Sequence, residues 1–283
     1  QGRDFMTYRV GKYTLPEYSV LMSVYDRELP ENLNESLESM LMQSYPPSDF
    51  VLVCDGKLTC ELNIIVKSFQ DEFKHIFHIV QIDENVGVGK AYNEGIKACK
   101  CDYIVKMDSD DISLPNRCLK QMTLFAVKPK LDIIGTYVEE FDTDTDEVVS
   151  VKKVPVMHKD IASYSKRRNP FNRQSVAFRK SFAEKIGGYS DLKMYEFIAR
   201  MLQHGAKGQN IPEVLVRYRI DENTVDTRKS WEHTKAFIRV RWIIHRSGYT
   251  GFRDFFMPCA LQLGLFIFPR KFTRWVYRTF LRK

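Results

Sequence analysis

The fold is decided by the stretch Tyr103-Ile-Val-Lys-Met-Asp-Ser-Asp-Asp111. In it, a run of strand-forming residues ends in a cluster of carboxylates. Asp108 and Asp110 stand two positions apart directly after the predicted strand, so both side chains can point into the crevice at its end. Carboxylates in such a place suit Mg²⁺ or Mn²⁺. A solvated turn, with Ser113 and Pro115 beginning the next helix, fits the spacing equally well.

Strands and amphipathic helices alternate on both sides of this stretch. The predicted strands are Ser19–Tyr25, Phe50–Val53, Ile76–Ile82, Tyr103–Met107 and Leu131–Val138. Four such alternations within about 120 residues predict an α/β fold, a Rossmann-like, mostly parallel open sheet flanked by helices. Ligands bind such sheets at the carboxyl ends of their strands.

After Val138 the alternation breaks down. Residues 139–147 are acidic and predict a solvated turn between two strands. Further predicted elements are strands at Ser175–Phe178 and Val214–Ile220 and helices at Met194–Gln203, 229–247 and 252–282, the last kinked near Pro258 and Pro269. We therefore divide the chain into a first half at 17–138, a second half of the same domain at 139–227, and a basic amphipathic helical tail at 228–283. Residues 1–5 resemble the remnant of a cleavable tag.

The tail carries the chain's net excess of positive charge. The net charge of the chain is +7, yet residues 228–283 hold 13 Lys and Arg against Glu232 and Asp254. This asymmetry predicts an anionic partner, either membrane lipid or nucleic acid. No recognised nucleic-acid-binding motif accompanies the charge, so we expect no nucleic acid. No apolar stretch reaches the roughly 20 residues of a membrane-spanning helix.

Two further polar features follow predicted strands. Asp55 comes after the second strand, and Asn85-Val-Gly87 begins the helix after the third, with Asn93 two turns along it. Taken alone, each is typical of a turn or a helix cap. Together with Asp108 they fall at the carboxyl ends of strands in one sheet, which favours a shared ligand site.

Several segments, taken in their order along the chain, resemble those of the inverting family 2 glycosyltransferases with the GT-A fold, of the type that builds bacterial surface polysaccharides. The matching segments are Ser19–Tyr25, Val53–Gly56, Asn85–Asn93, Val105–Ile112 with its DXD motif, Arg117 with Gln121, Asn169–Arg179 and Gly187–Tyr189. The similarity runs over roughly residues 17–220, and the ordered set is far more specific than any member alone. The resemblance implies that 17–138 is the nucleotide-sugar-binding half and that 139–227 is the acceptor-side half of the same GT-A domain.

The resemblance implies roles for individual residues. It assigns nucleotide binding to Val24, Tyr25, Asp55, Asn85, Lys90, Asp108 and Ser109, and metal binding to Asp108 and Asp110. The first strand end and Asp55 would hold the base and ribose, and Lys90 would lie near the diphosphate. A bound Mn²⁺ or Mg²⁺ would neutralise charge on the departing nucleoside diphosphate.

The catalytic base is where this sequence departs from the family. The family has an acid directly before an aromatic residue that starts a helix, and aligning Tyr195 with that aromatic puts Met194 at the base position. Three explanations stay open: residues carrying the base are missing from this sequence, Glu196 or Asp191 serves instead, or the enzyme is inactive.

The resemblance further implies a UDP-sugar donor and a glycan acceptor, lipid-diphosphate-linked, in capsule or O-antigen synthesis. We expect a cytoplasmic protein, peripheral on the inner membrane face and attached through the Phe- and Arg-rich tail. The alternatives are an inactive nucleotide-binding scaffold and a sugar nucleotidyltransferase. The latter usually carries a glycine-rich loop after the first strand, which Tyr25–Pro30 lacks.

Overall fold

The computed structural model describes residues 8–190, 194–220 and 230–267. Its strands are β1 (Arg9–Val10), β2 (Tyr13–Thr14), β3 (Tyr18–Val24), β4 (Asp49–Asp55), β5 (Phe77–Ile82), β6 (Tyr103–Asp108), β7 (Ile112–Ser113), β8 (Ile133–Asp142), β9 (Val148–Lys152), β10 (Ala177–Arg179) and β11 (Gly208–Ile220). Its helices are α1 (Pro30–Leu41), α2 (Cys60–Glu72), α3 (Val88–Ala98), α4 (Arg117–Val127), α5 (His158–Ser165), α6 (Lys180–Lys185), α7 (Met194–Gln203), α8 (Trp231–Arg246) and α9 (Phe252–Ile267), with a 3₁₀ turn at Arg173–Ser175.

The predicted parallel sheet is confirmed on the N-terminal side. Strands β5, β4, β3 and β6 lie side by side in that order and all run parallel. Ser23 of β3 is in register with Asp108 of β6, and Val24 with Cys54 of β4. The carboxyl ends of three neighbouring strands therefore meet at one edge, where the polar residues were expected.

Beyond β6 the sheet becomes mixed. β10 lies antiparallel between β6 and β8, and β11 then runs parallel to β8. β8 also continues further than the sequence predicted: Glu139–Asp142 belong to the strand, and the turn to β9 follows them. The prediction of a solvated turn at 139–147 was wrong at its start because Glu140 is buried. Its carboxylate accepts a hydrogen bond from Ser150 at 2.5 Å and forms an ion pair with Lys152.

Helices cover both faces of the sheet, as the strand pattern dictates. Successive residues of a strand point to opposite faces, so Val20 and Met22 pack with α1, α2 and α4 while Leu21 packs with α3 and α7. The buried contributions are Leu33, Leu37 and Met40 from α1, Met122 and Phe125 from α4, Ala91 and Ile96 from α3, and Phe197 and Met201 from α7.

The C-terminal helical extension is confirmed as α8 packed against α9. Val240 and Ile244 attach α8 to the domain through Ala199 of α7. Residues 268–283 of the predicted tail, with Pro269, lie outside the described residues, as do residues 1–7 with the expected tag remnant. Within the described ranges, no helix combines the length and the hydropathy needed to cross a bilayer.

Candidate active site

A cavity of about 670 Å³ opens at the carboxyl ends of β3, β4 and β6. It is lined by six residues that the sequence predicted, namely Tyr25, Asp55, Asn85, Asp108, Ser109 and Asp110. It is also lined by residues that the sequence did not single out, including Ser23, Glu28, Tyr92, Arg173, Tyr218 and Arg219. The structure thus brings most of the predicted nucleotide and metal residues into one concave site of ligand size.

Two predicted residues do not line this cavity. Val24 is fully buried in the core against its neighbours in the sheet, since its side chain points away from the strand end. Lys90 is exposed and lines a separate groove beside the first turn of α3. The neighbouring side chain Ser23 takes the place at the cavity wall that was predicted for Val24.

Asp108 sits in a charged cluster at the end of β6. Its Oδ1 accepts hydrogen bonds from Lys106 Nζ and, at 3.2 Å, from Tyr92 Oη. Burial opposes ionisation, yet the positive charges of Lys106 and Arg173 hold the pKa of the Asp108 carboxyl below its usual range. Asp108 is therefore an ionised and oriented acceptor, suited to a ribose hydroxyl or to a cation.

Asp110 is the more open carboxylate of the pair. It forms no ion pair with any described residue, and burial together with the negative charges of Asp108 and Glu28 raises the pKa of its carboxyl to about 6. Next to it, Asp111 accepts the Arg219 backbone N–H at 3.0 Å through Oδ1. The buried Oδ2 of Asp111 has no hydrogen-bond partner in the described part of the chain.

This excess of carboxylate charge fits a divalent cation. Three His, Cys, Asp or Glu side chains do not converge as metal ligands anywhere in the described ranges. A two-carboxylate site is nevertheless what Mg²⁺ and Mn²⁺ use when substrate phosphate and water supply the remaining ligands. Asp110, with Asp108 beside it, would hold that ion.

Arg117 and Gln121 are buried behind the cavity and join the elements that form its wall. The Arg117 side chain is fully buried, and its Nη2 donates to the Lys106 carbonyl at 2.7 Å. Gln121 Nε2 donates to the Ser175 carbonyl at 2.8 Å. These bonds tie β6 to the 3₁₀ turn that begins at Arg173, so the two residues position the site without lining it.

Asp55 organises the loop before α3. Its two carboxylate oxygens accept the backbone N–H groups of Val86 at 2.8 Å and Gly87 at 3.1 Å. Gly87 has a φ of +86°, a backbone conformation that glycine adopts without strain. Asn85 caps the same turn, since its Oδ1 also accepts the Gly87 N–H, at 3.2 Å. Asp55 therefore shapes the cavity wall as well as lining it.

Glu28 and Arg173 are the charged cavity residues with the clearest roles among those that escaped the sequence-based prediction. Glu28 accepts a hydrogen bond from Ser109 Oγ and so draws the loop after β3 onto the end of β6. Arg173 is exposed to solvent inside the cavity, and its guanidinium lies in the field of Asp108, Asp110 and Asp111. Partial desolvation by the surrounding cavity walls works against its charge, but those carboxylates raise the pKa of Arg173. Its only sequence signal was its place inside the Asn169–Arg179 segment.

The Gly-Gly-Tyr segment interlocks with α3. Asn93 Oδ1 accepts the Tyr189 backbone N–H at 2.7 Å, and its Nδ2 donates to the Tyr189 carbonyl at 2.8 Å. A side chain at Gly188 would lie 2.3 Å from that Oδ1, and the φ of Gly188 is +69°. Asn93 is thus a structural residue that fixes the loop leading to α7.

Glu196 is the one of the two candidate bases that the structure describes. Glu196 is buried in α7, where it accepts from Ser190 Oγ at 2.6 Å and pairs with Arg200 at 2.8 Å. It faces a small cavity of about 40 Å³ against α8 and does not line the large one. Asp191 lies outside the described residues. The described chain stops before it at Ser190, whose carbonyl oxygen lies close above Gly89 of α3.

With the site geometry established, comparison with known proteins identifies the family. The sequence matches the family model described as Glycosyl transferase family 2 over residues 19–187, more than half of the chain. The chain belongs to glycosyl transferase family 2. The predicted resemblance is therefore confirmed, and the protein is a glycosyltransferase.

Curated relatives match nearly end to end. An uncharacterized glycosyltransferase of Haemophilus influenzae is 34% identical over 94% of this chain and 100% of its own length. The UDP-Gal:alpha-D-GlcNAc-diphosphoundecaprenol beta-1,3-galactosyltransferase of Escherichia coli is 31% identical over 95% and 98%. The amylovoran biosynthesis glycosyltransferase AmsE of Erwinia amylovora is 32% identical over 83% and 88%.

Solved structures support the GT-A fold. A Pyrobaculum calidifontis mannosyltransferase in complex with GDP-Man and Mn²⁺ superposes with a TM-score of 0.62 at 15% identity over 82% of this chain. Staphylococcus aureus TarS 1–349 with UDP-GlcNAc gives 0.61 at 18% identity over 81%. The chain spans 65% of the length of each of these two. At such identities the likeness establishes the fold alone, and the predicted α/β GT-A fold is confirmed.

Proposed function

We propose that this family 2 glycosyltransferase is a metal-dependent, inverting enzyme that moves a sugar from a UDP-sugar to a lipid-diphosphate-linked glycan acceptor. The observation that carries the proposal is the cavity at the ends of β3, β4 and β6, where Asp110 has no ion-pair partner among the described residues. Such a carboxylate, with Asp108 beside it, suits a cation that arrives with a nucleoside diphosphate. In this setting Tyr25, Asp55 and Asn85 would border the nucleoside.

The choice of uridine rests on a relative rather than on the fold. The structural neighbours bind GDP-Man in one case and UDP-GlcNAc in the other, so the fold is compatible with either nucleotide. The E. coli galactosyltransferase, whose name specifies UDP-Gal and a diphosphoundecaprenol acceptor, matches over 98% of its length. That match supports a UDP-sugar and a lipid-linked acceptor here, in capsule or O-antigen synthesis.

The reaction needs charge stabilisation on one side of the sugar and a base on the other. When bound, the metal would neutralise the charge that develops on the departing diphosphate. Arg173 extends its guanidinium into the same cavity and would share that role. A single in-line displacement inverts the anomeric centre, and a carboxylate must then take the proton of the acceptor hydroxyl.

Asp191 is the candidate base that we favour. Glu196 is already paired with Arg200 and faces away from the cavity. Ser190, by contrast, lies over Gly89 in α3, and Val88 at the start of that helix lines the cavity together with the preceding Gly87. Met194, at the position where the family has its acid, favours the inactive scaffold as a second candidate function.

The proposed location is peripheral on the cytoplasmic face of the membrane, and the exposed side chains of α9 support its contact with a membrane. Phe252 is 67% exposed, Phe256 58% and Leu261 59%, which is unusual for large apolar side chains on one helix. Arg270, Lys271 and further basic residues follow in the sequence. Aromatic side chains next to cationic ones suit the interface of an anionic bilayer.

The experiment that tests the proposal is a transfer assay with a panel of UDP- and GDP-sugars and a synthetic GlcNAc-diphosphate-lipid acceptor. We expect transfer from one UDP-sugar, abolished by EDTA, with NMR of the product showing the anomeric configuration opposite to that of the donor. Transfer from a GDP-sugar, or retention of configuration, would contradict the proposal. Donor and metal binding without transfer to any acceptor would favour the inactive scaffold.

A further inference from the structure

A second concave surface adjoins the proposed donor cavity, the cavity at the carboxyl ends of β3, β4 and β6. It is a groove of about 810 Å³ between the first turn of α3 and the exposed side of α8. From its charge and position we infer that this groove binds the diphosphate group of the lipid-linked acceptor. The inference rests on the proposed function, because it names where that acceptor is held.

The groove is basic. Lys90 lines it from α3, and Lys235 and Arg239 line it from α8, against the single acid Glu232. Glu232 pairs with Lys235 at 2.6 Å, but both side chains are exposed and such a pair contributes little. The Arg239 guanidinium has no ion pair or hydrogen bond to any residue in the described ranges. A dianionic ligand would therefore find at least two cations able to turn towards it.

Its position suits an acceptor rather than a donor. Gly87 and Val88 line both the groove and the donor cavity, so a ligand in the groove lies beside the donor sugar without occupying the nucleotide position. Lys90 lines the groove and not the cavity. The family resemblance implied that Lys90 lies near the diphosphate of the nucleotide. In this arrangement Lys90 would instead contact the diphosphate of the acceptor.

The far end of the groove leads towards apolar surface. Lys235, Arg239 and Trp242 are spaced four and three residues apart, so they share one side of α8. Trp242 is 48% exposed and its ring contacts Phe255 of α9 at a centroid distance of 5.6 Å. An acceptor could thus place its sugar at the donor cavity, its diphosphate in the groove and its lipid along the exposed aromatic side chains of α8 and α9.

Binding of geranyl diphosphate, measured by calorimetry in EDTA, tests the inference independently of the metal-dependent donor site. The variant is Lys235→Gln with Arg239→Gln, and the matched control is Arg246→Gln with Arg253→Gln, two exposed arginines of α8 and α9 outside the groove. We expect binding to weaken by about tenfold or more in the variant and by less than about twofold in the control. UDP binding in the presence of Mn²⁺ should be unchanged in both.

Equal affinity of the variant and the wild type for geranyl diphosphate would overturn the inference. So would displacement of geranyl diphosphate by UDP in EDTA, because the two ligands would then share the nucleotide position. Failure of UDP to bind wild-type protein with Mn²⁺ would instead contradict the donor site and leave the geranyl diphosphate result to be judged by itself.

Discussion

The donor cavity and the α8–α9 pair are built in opposite ways. Around the cavity, charged side chains are fixed by a fully buried frame, with Arg117, Gln121 and the strand β6 beneath it. On α8 and α9, large apolar side chains such as Trp242 and Phe256 face solvent, while Val240 and Ile244 of α8 join a small core cluster with α7. Rigid polar groups suit chemistry on a bound donor, whereas exposed apolar groups suit a surface that meets a partner.

The largest effect is expected at Asp191, the candidate base that we favour. Asp191→Asn should lower the rate of sugar transfer by about 10²–10⁴-fold, because the acceptor hydroxyl loses its base, while UDP binding with Mn²⁺ stays unchanged. Initial rates and calorimetry on the same protein measure both.

Glu196→Gln is the matched control for that loop. Glu196 is held by Ser190 and Arg200 away from the cavity, so this variant should transfer sugar at a rate within about tenfold of wild type. Rates that fall more for Glu196→Gln than for Asp191→Asn would reverse the assignment, and equal rates in both variants would point to a base elsewhere.

The next largest effect is expected in the free energy of unfolding, which should fall more for a substitution beneath the cavity than for one on α8. Arg117→Met removes a fully buried guanidinium and leaves the Lys106 carbonyl without its donor, so the free energy of unfolding should fall by about 2–3 kcal/mol. Trp242→Ala removes a half-exposed ring and should cost about 1 kcal/mol or less. Denaturant unfolding of both variants gives the comparison, and equal losses would contradict it.

Membrane binding should give the smallest effect, and it should be confined to α9. Phe252→Ser with Phe256→Ser should weaken co-sedimentation with vesicles that contain anionic phospholipid by about tenfold, since two exposed apolar side chains can no longer enter the interface. The control is Met42→Ser with Ile64→Ser, which removes similarly exposed apolar side chains from the other end of the chain. A similar loss in the control would sink the proposed location.

Much of the fold was predictable because its signals are local. Buried strands such as β3 and β6, and the carboxylates that follow β6, are legible from short runs of sequence. The acidic residues of β8 were predicted as a turn because the burial of Glu140 depends on Ser150 and Lys152, which the sequence places on another strand. Tertiary pairing of this kind overrides local composition.

The site was predicted less completely for the same reason. Tyr25, Asp55, Asn85 and Asp110 follow strands and could be found by position along the chain. Arg173 reaches the cavity only because β10 inserts antiparallel beside β6, a topology that local patterns do not encode. The sequence also did not reveal which way a side chain points at a strand end. Val24 was predicted to bind the nucleotide, but it is buried in the core.

The metal-dependent donor site is tested most directly by calorimetric titration of UDP into wild-type protein with Mn²⁺ or with EDTA, beside Asp110→Asn. Asp71→Asn, an exposed acid on α2, controls for the loss of one negative charge. We predict binding by wild type and Asp71→Asn only with Mn²⁺, and an affinity at least about a hundredfold lower for Asp110→Asn. Equal binding in EDTA, or equal binding by Asp110→Asn, would contradict a donor site built on Asp110.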